Sequence, residues 1–362
     1  MSVHILLLVY ICILGAVFYC SSYSMKKKNL MFVICAFIPI FFIQTFRAEA
    51  VGLDTVSYIR GYYRINYVDG CWEAQNWEWG YVLLNRMIGK LTNCNVQFLF
   101  GAVSAVILIG VGCFILQNSG DKSVFWSVFF YITLNHYLTS MCSMRQYIAI
   151  AIGINIYTLL KKECSVRTYL ASALLLALAL AFHTSAFVLA SVFIIFALKK
   201  VNRKTIVIST FLCIMAFLCF DEILDIFFIV FPKYYAYSQT RFSKFAGVAL
   251  GNTYILFLLL KILVSGLVFT LNPVDKKNRE LYILLLLSLF GAAVSIMTVK
   301  VMLVWRFGYY FDIFLLLLIP ETVSRIRKIR PVLYLLLMAM GWMYYLFLLH
   351  ANSAGCVPYG IF

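Results

Sequence analysis

A few charged side chains of this chain stand beside long apolar runs, where they could do chemistry. Arg47 and Asp54 occur in the stretch RAEAVGLDTVSYIRGYY, and Glu78, Arg145 and His183 follow in other segments. Carboxylate and imidazole groups can take a proton from a hydroxyl, and a guanidinium matches two phosphate oxygens at once. Because a charge next to hydrocarbon is costly, such residues usually mark a functional cavity or an ion pair.

The arginines allow a phosphate-binding interpretation and simpler ones. Arg145 opens RQYIAIAIGINIYTLL, where a helix N-terminus would add affinity for an anion; the alternative is an arginine at a helix end whose head reaches the interface. Arg306, in KVMLVWRFGYYFDIF, could instead pair with Asp312, although six residues is a poor spacing for one helix face. Arg241, in KYYAYSQTRFSKF, lies among tyrosines. That mixture suits an ionic ligand with sugar faces and equally a loop at the lipid surface.

His183 and two carboxylates are candidates for proton transfer. A lone histidine in an apolar stretch is often a hydrogen-bonded structural residue, but His183 could be a general base near neutral pH or, when protonated, bind phosphate. Asp54 and Glu78 could assist the same proton transfer. Either could instead pair with Arg47 or Arg60, or cap a nearby helix.

The segment WEAQNWEWGY, residues 72–81, contains three tryptophans and two glutamates. Tryptophans collect at membrane interfaces, but aromatic faces beside acids also hold sugar rings. The chain contains no HEXXH, GXSXG, Walker loop or DXD-like metal pair, so it gives no support for ATP use or for a metal-dependent nucleotide-sugar enzyme. We therefore expect no cofactor and no metal site.

The composition indicates a membrane protein. Hydrophobic residues make up 64% of the chain and charged residues only 12%, roughly half the charged share of a soluble domain. Apolar runs of about 18 residues or more recur from end to end, which predicts an all-α polytopic protein. The net charge of +16 comes from short basic clusters between these runs, as in cytoplasmic loops, so we do not expect a nucleic-acid partner.

The basic clusters also predict the topology, because short basic loops stay in the cytoplasm and an even number of spans must separate them. Residues 168–198 lie between two such clusters and are interrupted at His183, which predicts two short helices that meet there at the outer face. The same reasoning predicts about twelve membrane helices in one integral membrane domain, residues 1–362. They are 3–20, 30–46, 96–117, 124–141, 145–160, 168–182, 184–198, 205–220, 252–271, 281–299, 301–319 and 331–350.

In this topology both chain ends face outward, together with loops 47–95, 142–145 and 221–251 and the turns near 183 and 300. Within the first loop, residues 80–93 are amphipathic and predict a surface-lying or re-entrant helix. Cys71 and Cys94 also lie in that loop and could pair there, which their spacing does not decide. Most of the eleven cysteines are isolated in apolar runs, where cysteine behaves as a small apolar residue.

Five stretches, in this order, resemble the EpsG/Wzy family of polysaccharide polymerases: VGLDTVSYIRGYY, EWGYVLLNR, SMRQYIAIAIGI, AFHTSAFVLASV and WRFGYYFDIFLLLLIP. The resemblance extends from about residue 47 to 320, and the ordered set is more specific than any one piece. The family's motif positions correspond to Gly52, Asp54, Thr55, Tyr58, Glu78, Gly80, Tyr81, Arg145, Gln146, His183, Ser185, Arg306 and Tyr310. The Asp54–Thr55 pair follows VGL here, where a VGT-like form is commoner in the family.

The resemblance implies a GT-C-type glycosyltransferase of the bacterial cytoplasmic (inner) membrane whose active site faces the periplasm or outside. Such an enzyme joins oligosaccharide repeat units carried on undecaprenyl diphosphate, without ATP or metal, as in O-antigen synthesis for lipopolysaccharide. The growing chain leaves its lipid carrier and is added to the incoming lipid-linked unit. The implied partners are the donor and acceptor glycolipids and membrane lipid, and they could include a chain-length regulator.

The resemblance and the residues together predict three groups of site residues. The predicted catalytic residues are His183, Asp54 and Glu78. The predicted diphosphate-binding residues are Arg145 and Arg306, with Arg47 and Arg241 as second choices. The residues predicted to contact substrate are Tyr58, Tyr81, Gln146 and Tyr310.

Two other classes of protein would use the same lipid-linked units. A flippase would also need cationic residues, but they would line a central cavity between two pseudo-symmetric halves, and the sequence contains no visible repeat. An O-antigen ligase would share the donor and the chemistry. Only family motifs separate it from a polymerase.

Overall fold

The structure is a computed structural model that describes residues 1–198, 200–230, 252–271, 279–298, 304–326 and 328–362. These segments consist of α-helices, one 3-10 helix and connecting loops, with an isolated β-bridge between Arg47 and Ile361. The predicted all-α class is therefore confirmed for the described residues.

The chain divides into two compact units, Met1–Ala190 with Ile326–Phe362, and Ser191–Arg325. That it forms one integral membrane domain remains a prediction. The helices of the first unit are α1 (Ser2–Cys20), α2 (Met25–Thr45), α3 (Thr55–Tyr67), α4 (Trp72–Asn76), α5 (Trp79–Leu91), α6 (Val96–Asn118), α7 (Val124–Thr133), α8 (His136–Cys142), α9 (Met144–Gly153), α10 (Asn155–Lys162), α11 (Val166–Phe182), the 3-10 helix Thr184–Leu189 and the last helix of the chain, Arg330–Ala351.

The second unit contains the remaining helices in chain order. They are α12 (Ala190–Ala197, whose first residue belongs to the first unit), α13 (Arg203–Leu218), α14 (Phe220–Val230), α15 (Asn252–Leu271), α16 (Arg279–Met297), α17 (Trp305–Asp312) and α18 (Leu315–Arg325). The helix Arg330–Ala351 is α19 in this numbering.

Five of the described helices, α1, α2, α6, α16 and α19, are long and apolar enough to cross a bilayer. A sixth crossing results if α17 and α18, which bend by 45° at their junction, form one broken span. The chain is thus a helical membrane protein. The finer count of about twelve spans remains a prediction.

Two predicted spans of the first unit are not continuous helices. The span predicted at 124–141 breaks between α7 and α8, where Asn135 adopts a left-handed conformation with φ of 75°, which asparagine tolerates better than most residues. The span predicted at 145–160 divides into α9 and α10 at Ile154. The break predicted at His183, by contrast, is confirmed, since α11 ends at Phe182 and His183 is extended.

The predicted loop 47–95 contains three helices, α3 to α5. Helix α5 confirms that residues 80–93 are mainly helical, and its exposed apolar residues recur every fourth position, at Trp79, Leu83, Met87 and Leu91. Such a stripe on an amphipathic helix suits the boundary of a membrane. The side of the membrane on which the loop lies remains a prediction.

The packing of the first unit brings distant parts of the chain together. Helix α11 packs on α9, α10 and α5, and α5 in turn packs on α3. The start of α5, the end of α11 and the start of α9 are therefore the elements that can position a common site. The second predicted outward loop, 221–251, begins with α14, and its residues 231–251 lie outside the described residues.

Candidate active site

A single carboxylate, that of Glu78, holds an arginine and a histidine from distant parts of the first unit. Its Oε2 accepts a hydrogen bond of 2.6 Å from Arg145 Nη1, and its Oε1 lies 3.0 Å from His183 Nδ1. Oε1 also accepts from the backbone N–H of Thr184 at 3.1 Å. The structure thus brings together three of the predicted site residues, Glu78, Arg145 and His183, which we call the Glu78 trio.

The local backbone explains how Glu78 reaches this position. It immediately precedes α5 and makes no side-chain bond that caps this helix, so its carboxylate turns towards the end of α11. Gly80, two residues later, lies against that end: a Cβ atom at Gly80 would come within 2.7 Å of the Ala181 carbonyl oxygen. The missing side chain of Gly80 is therefore what permits α5 and α11 to approach this closely.

The close approach at Gly80 leads to a testable expectation. In Gly80→Ala the added methyl group should push α5 away from α11 and lengthen the Glu78–His183 contact. Since a misplacement of about 1 Å can cost about 10²-fold in rate, we expect a loss of that order in any reaction that uses the trio. Activity of purified Gly80→Ala, compared with the wild type, would measure it.

The matched control for this prediction is Gly101→Ala in α6. A Cβ atom there would lie 3.4 Å from the nearest side-chain atom, which is ordinary contact, and alanine in a helix interior is favoured over glycine. Gly101→Ala should therefore keep full activity. Equal losses in the two variants would show that the approach at Gly80 does not position the trio.

His183 is held so that its ring meets the Glu78 carboxylate. Its backbone N–H closes α11 on the Ala179 carbonyl at 3.0 Å, and its extended conformation, with φ of −158°, ends the helix. Because Glu78 has only acceptor oxygens when ionised, we assign the proton at this contact to His183 Nδ1. The neutral ring then carries its lone pair on Nε2, which is the form that a general base requires.

Arg145, the second residue of α9, lies over aromatic rings. Its guanidinium carbon is 4.9 Å from the centre of the Trp77 ring, an attractive cation–π arrangement. Trp77 in turn contacts Tyr58 and Tyr81, with ring centres 5.9 Å and 5.6 Å away. The arginine side chain is 21% exposed, and its bond to Glu78 uses one of the five N–H donors of a guanidinium. It can therefore present further donors to a ligand.

Burial alone would raise the pKa of Glu78, but the hydrogen bond from His183 and the charge of Arg145 outweigh it and lower that pKa from 4.5 to about 2. Glu78 therefore stays ionised at neutral and mildly acidic pH. A permanently ionised carboxylate is a poor proton acceptor. The contacts of Glu78 therefore favour a role in orienting His183 and Arg145 over proton transfer, and its predicted catalytic role remains a prediction.

The lowered pKa of Glu78 predicts a specific titration. Because the folded-state pKa lies below the ordinary value, the stabilisation from these contacts is present above about pH 4.5 and is lost as the pH falls towards 2. In infrared difference spectra of wild type minus Glu78→Gln, a carboxylate band should persist from pH 7 to below 4.5. Disappearance of this band between pH 7 and 5 would contradict the assignment.

The other predicted residues of the first unit lie in different surroundings. Asp54 is half-buried just before α3 and makes no side-chain bond that caps it, and Gln146 is buried next to Arg145. Arg47 is only 2% exposed; it donates to the carbonyl oxygens of Gln44 and Met141 and lies over the Phe100 ring. Such a buried position gives no support to the prediction that Arg47 binds diphosphate.

Three predicted residues lie outside the first unit. Arg306 and Tyr310 belong to α17 of the second unit, where Arg306 is partly exposed and Tyr310 is buried. Asp312 pairs there with Lys261, at 2.6 Å. This contact supplies a different partner from the Arg306 that the sequence analysis considered for it. Arg241 lies outside the described residues.

Two side chains that contact the Glu78 trio, Trp77 and Thr184, are not among the predicted site residues, although Trp77 belongs to the aromatic segment 72–81 for which sugar binding was one interpretation. Trp77 immediately precedes Glu78, and Thr184 immediately follows His183. Direct adjacency to a predicted site residue was the available signal in both cases.

Two expectations about cysteines and metals can be compared with the described residues. Cys71 and Cys94 are both free thiols, so the structure contains no disulfide bond between these two residues. In the part of the chain that the structure describes, no three His, Cys, Asp or Glu side chains cluster as metal ligands. Whether the protein acts without metal remains a prediction.

Comparison with known proteins adds a family assignment. Searches of curated proteins and of solved structures found no match. A family model, that of the EpsG family, matches residues 29–361, most of the chain. The match includes every member of the Glu78 trio and all five stretches that suggested the resemblance. The chain therefore belongs to the EpsG family.

Proposed function

We propose that this protein is a polysaccharide polymerase that joins oligosaccharide repeat units carried on undecaprenyl diphosphate at the outer face of the cytoplasmic membrane. The EpsG family suggests a polysaccharide polymerase of the glycosyltransferase type. The observation that carries the proposal for this chain is the carboxylate of Glu78, bonded at once to the Arg145 guanidinium and the His183 imidazole. About twelve spans and a GT-C-type arrangement belong to the same proposal.

The proposed reaction forms one bond and breaks another at the same sugar carbon. A hydroxyl oxygen of the acceptor unit attacks the anomeric carbon of the donor chain, and the bond from that carbon to the donor's diphosphate oxygen breaks. The lipid diphosphate leaves with the bonding electron pair. Because this leaving group is already activated, the reaction needs no ATP.

His183 takes the proton of the acceptor hydroxyl on Nε2, because its Nδ1 faces Glu78 at 3.0 Å. The carboxylate fixes the ring and stabilises the imidazolium that forms, as a paired carboxylate does for other catalytic histidines. Asp54 would be the alternative base. Trp77 is partly exposed and offers an aromatic surface beside Arg145 where a sugar ring could lie, and the buried rings of Tyr58 and Tyr81 pack against Trp77.

Arg145 stabilises the negative charge that develops on the diphosphate. Because of the charge balance of the trio, this stabilisation is stronger in the transition state than in the ground state. With neutral His183, the positive charge of Arg145 and the negative charge of Glu78 cancel. When His183 accepts the proton, the trio becomes positive, at the same moment as negative charge builds on the leaving oxygen. An interaction that strengthens in the transition state accelerates the reaction rather than only tightening binding.

Reconstitution with defined substrates tests the proposal. Purified protein in lipid vesicles would receive undecaprenyl-diphosphate-linked repeat units together with a metal chelator and no nucleotide. We expect a ladder of products that differ by one repeat unit. No ladder, with intact units moved across the vesicle membrane, would support a flippase instead, and transfer only to a lipid A core acceptor would support a ligase.

A further inference from the structure

Two cysteine side chains of the first unit meet on the same pair of carbonyl oxygens. The Sγ atom of Cys142 lies 2.8 Å from the Ala354 oxygen and 3.7 Å from the Leu138 oxygen. The Sγ atom of Cys356 lies 3.5 Å and 3.8 Å from the same two oxygens. The two side chains also contact each other, since each is the main influence on the pKa of the other thiol, although the residues are far apart in the sequence.

The backbone on both sides of this contact is firmly placed. Cys142 ends α8, and Cys356 lies in the segment 354–362 that follows α19. This segment runs along residues 46–53: the backbone N–H groups of that stretch donate to the carbonyl oxygens of residues 354, 355 and 360 at 2.8–3.2 Å. The Cys356 carbonyl oxygen also lies 3.0 Å from His4 Nε2. A bond between the sulfurs would thus join two positions that other contacts already fix.

The surroundings favour the thiolate form of one cysteine. The neighbouring Cys356 thiol, assisted by the backbone of Leu53 and the buried Arg47 guanidinium, holds the pKa of Cys142 below its usual value although burial opposes this. The pKa of Cys356 is raised, first by its contact with Cys142 and then by burial. Since the thiolate is the species that attacks a disulfide, Cys142 becomes the more reactive member of the pair as the two side chains come into contact.

We propose that Cys142 and Cys356 form a disulfide bond that fastens the C-terminal segment to the end of α8, two residues before the helix that carries Arg145 begins. Arg145 lies three residues after Cys142, so the disulfide would restrain the backbone that positions Arg145 in the Glu78 trio. The inference is independent of the reaction that the trio performs. It concerns a covalent link in the chain and has its own readout.

The bond requires an oxidant, which we take to be a protein disulfide of an oxidising compartment. The Cys142 thiolate attacks one sulfur of that disulfide and forms a mixed disulfide, releasing one thiolate of the oxidant. Cys356 then loses its proton and attacks the Cys142 sulfur, releasing the second thiolate. The two cysteines lose two protons and two electrons, and the oxidant is reduced to a dithiol.

Two features of the chain agree with this sequence of events. The basic clusters predict that residues 142–145 and the C-terminal end both face outward, the side on which disulfides form and persist. Cys142 and Cys356 are free thiols in this structure and both are buried, so the oxidant has to reach Cys142 while the C-terminal segment is still closing over it during folding. When the thiols lose their protons, the Ala354 carbonyl oxygen keeps one hydrogen bond, because the backbone N–H of Leu53 also donates to this oxygen at 3.2 Å.

Peptide mass spectrometry of the full-length protein tests the proposal. Protein from membranes prepared without reductant would be alkylated with N-ethylmaleimide under denaturing conditions and then digested. We expect a peptide pair that contains Cys142 and Cys356, two hydrogens lighter than the sum of the free peptides, which disappears when reductant precedes alkylation. Complete alkylation of both cysteines without prior reduction would overturn the proposal.

Variants separate this pair from accidental oxidation. Cys142→Ser and Cys356→Ser should each abolish the linked peptide and leave the partner cysteine alkylated, whereas Cys113→Ser, on the exposed face of α6, should leave the link intact. The proposal would also be contradicted if, in the wild type, Cys142 or Cys356 were linked to other cysteines as often as to each other. None of these readouts uses polymerase activity, so failure of the proposed reaction would not be mistaken for failure of the disulfide.

Discussion

Replacing Arg145 with alanine is expected to abolish chain extension while the protein still folds. Removal of one fixed donor to a developing negative charge typically costs about 10²–10³-fold in rate. The Glu78 carboxylate would keep its contacts with His183 and the backbone of Thr184, so the local structure has support without the arginine. The rate of repeat-unit addition by purified Arg145→Ala, alongside its thermal unfolding midpoint, measures both parts.

Two matched variants show whether the effect belongs to this arginine. Arg145→Lys keeps the charge but loses the planar fork of donors, so an intermediate rate is expected. Arg64 forms a comparable ion pair with Glu73, at 3.1 Å, but its side chain is 48% exposed, and Arg64→Ala should have a near-normal rate. If Arg145→Ala made polymer of normal length, Arg145 would have no role in the proposed mechanism.

Replacing either member of the Lys261–Asp312 pair is expected to destabilise the second unit strongly. Lys261 is 1% exposed in the middle of α15, and its ammonium lies 2.6 Å from Asp312 Oδ1 and 2.7 Å from Ser295 Oγ. Removing one partner leaves an uncompensated charge among apolar helices, which costs about 3–5 kcal/mol in buried pairs. We therefore expect Asp312→Ala and Lys261→Met to unfold at much lower temperature than the wild type.

The double variant Lys261→Met/Asp312→Leu distinguishes a charge effect from a loss of packing. With both charges replaced by apolar groups of similar size, most of the stability should return. The matched control is Glu321→Gln, which breaks the partly exposed Glu321–Arg325 pair on α18 and should cost no more than about 1 kcal/mol. A double variant no more stable than the single ones would contradict the account.

The same ion pair lies at a feature of the fold that local sequence patterns do not predict. Asp312 stands at the 45° bend between α17 and α18, where a continuous span had been predicted. Its carboxylate approaches Gly291 of α16 so closely that a Cβ atom there would lie 2.8 Å from Oδ1. Three different helices contribute Lys261, Gly291 and Asp312. Tertiary packing brings these residues together, and a local sequence pattern cannot predict such packing.

The candidate site was more accessible to sequence reasoning, for a physical reason. A charge in an apolar chain is retained only when it has a partner or a task, so Glu78, Arg145 and His183 could be selected by their context. The helix break at His183 followed from charge parity, because two basic clusters on one side of a membrane require an even number of crossings. What these arguments could not supply was the pairing, namely that one carboxylate bonds both other groups.

Arg47 lies in different surroundings, and its predicted role in diphosphate binding remains a prediction. It satisfied the same criterion of a charge beside an apolar run, yet its guanidinium is buried against backbone carbonyl oxygens and the Phe100 ring. The C-terminal segment lies across it through the bridge to Ile361. Since this contact joins residues more than 300 positions apart in the sequence, local sequence patterns could not predict how deeply Arg47 is buried.

The most direct test of the proposed reaction measures the diphosphate that the donor releases. Reconstituted protein would receive undecaprenyl-diphosphate-linked repeat units, and free undecaprenyl diphosphate would be quantified alongside the glycosidic bonds formed. We predict one released diphosphate for each new bond in the wild type and almost none in Arg145→Ala. Equal release by both proteins, or growth of the glycan without release, would contradict the central claim that the Glu78 trio supports departure of a lipid diphosphate.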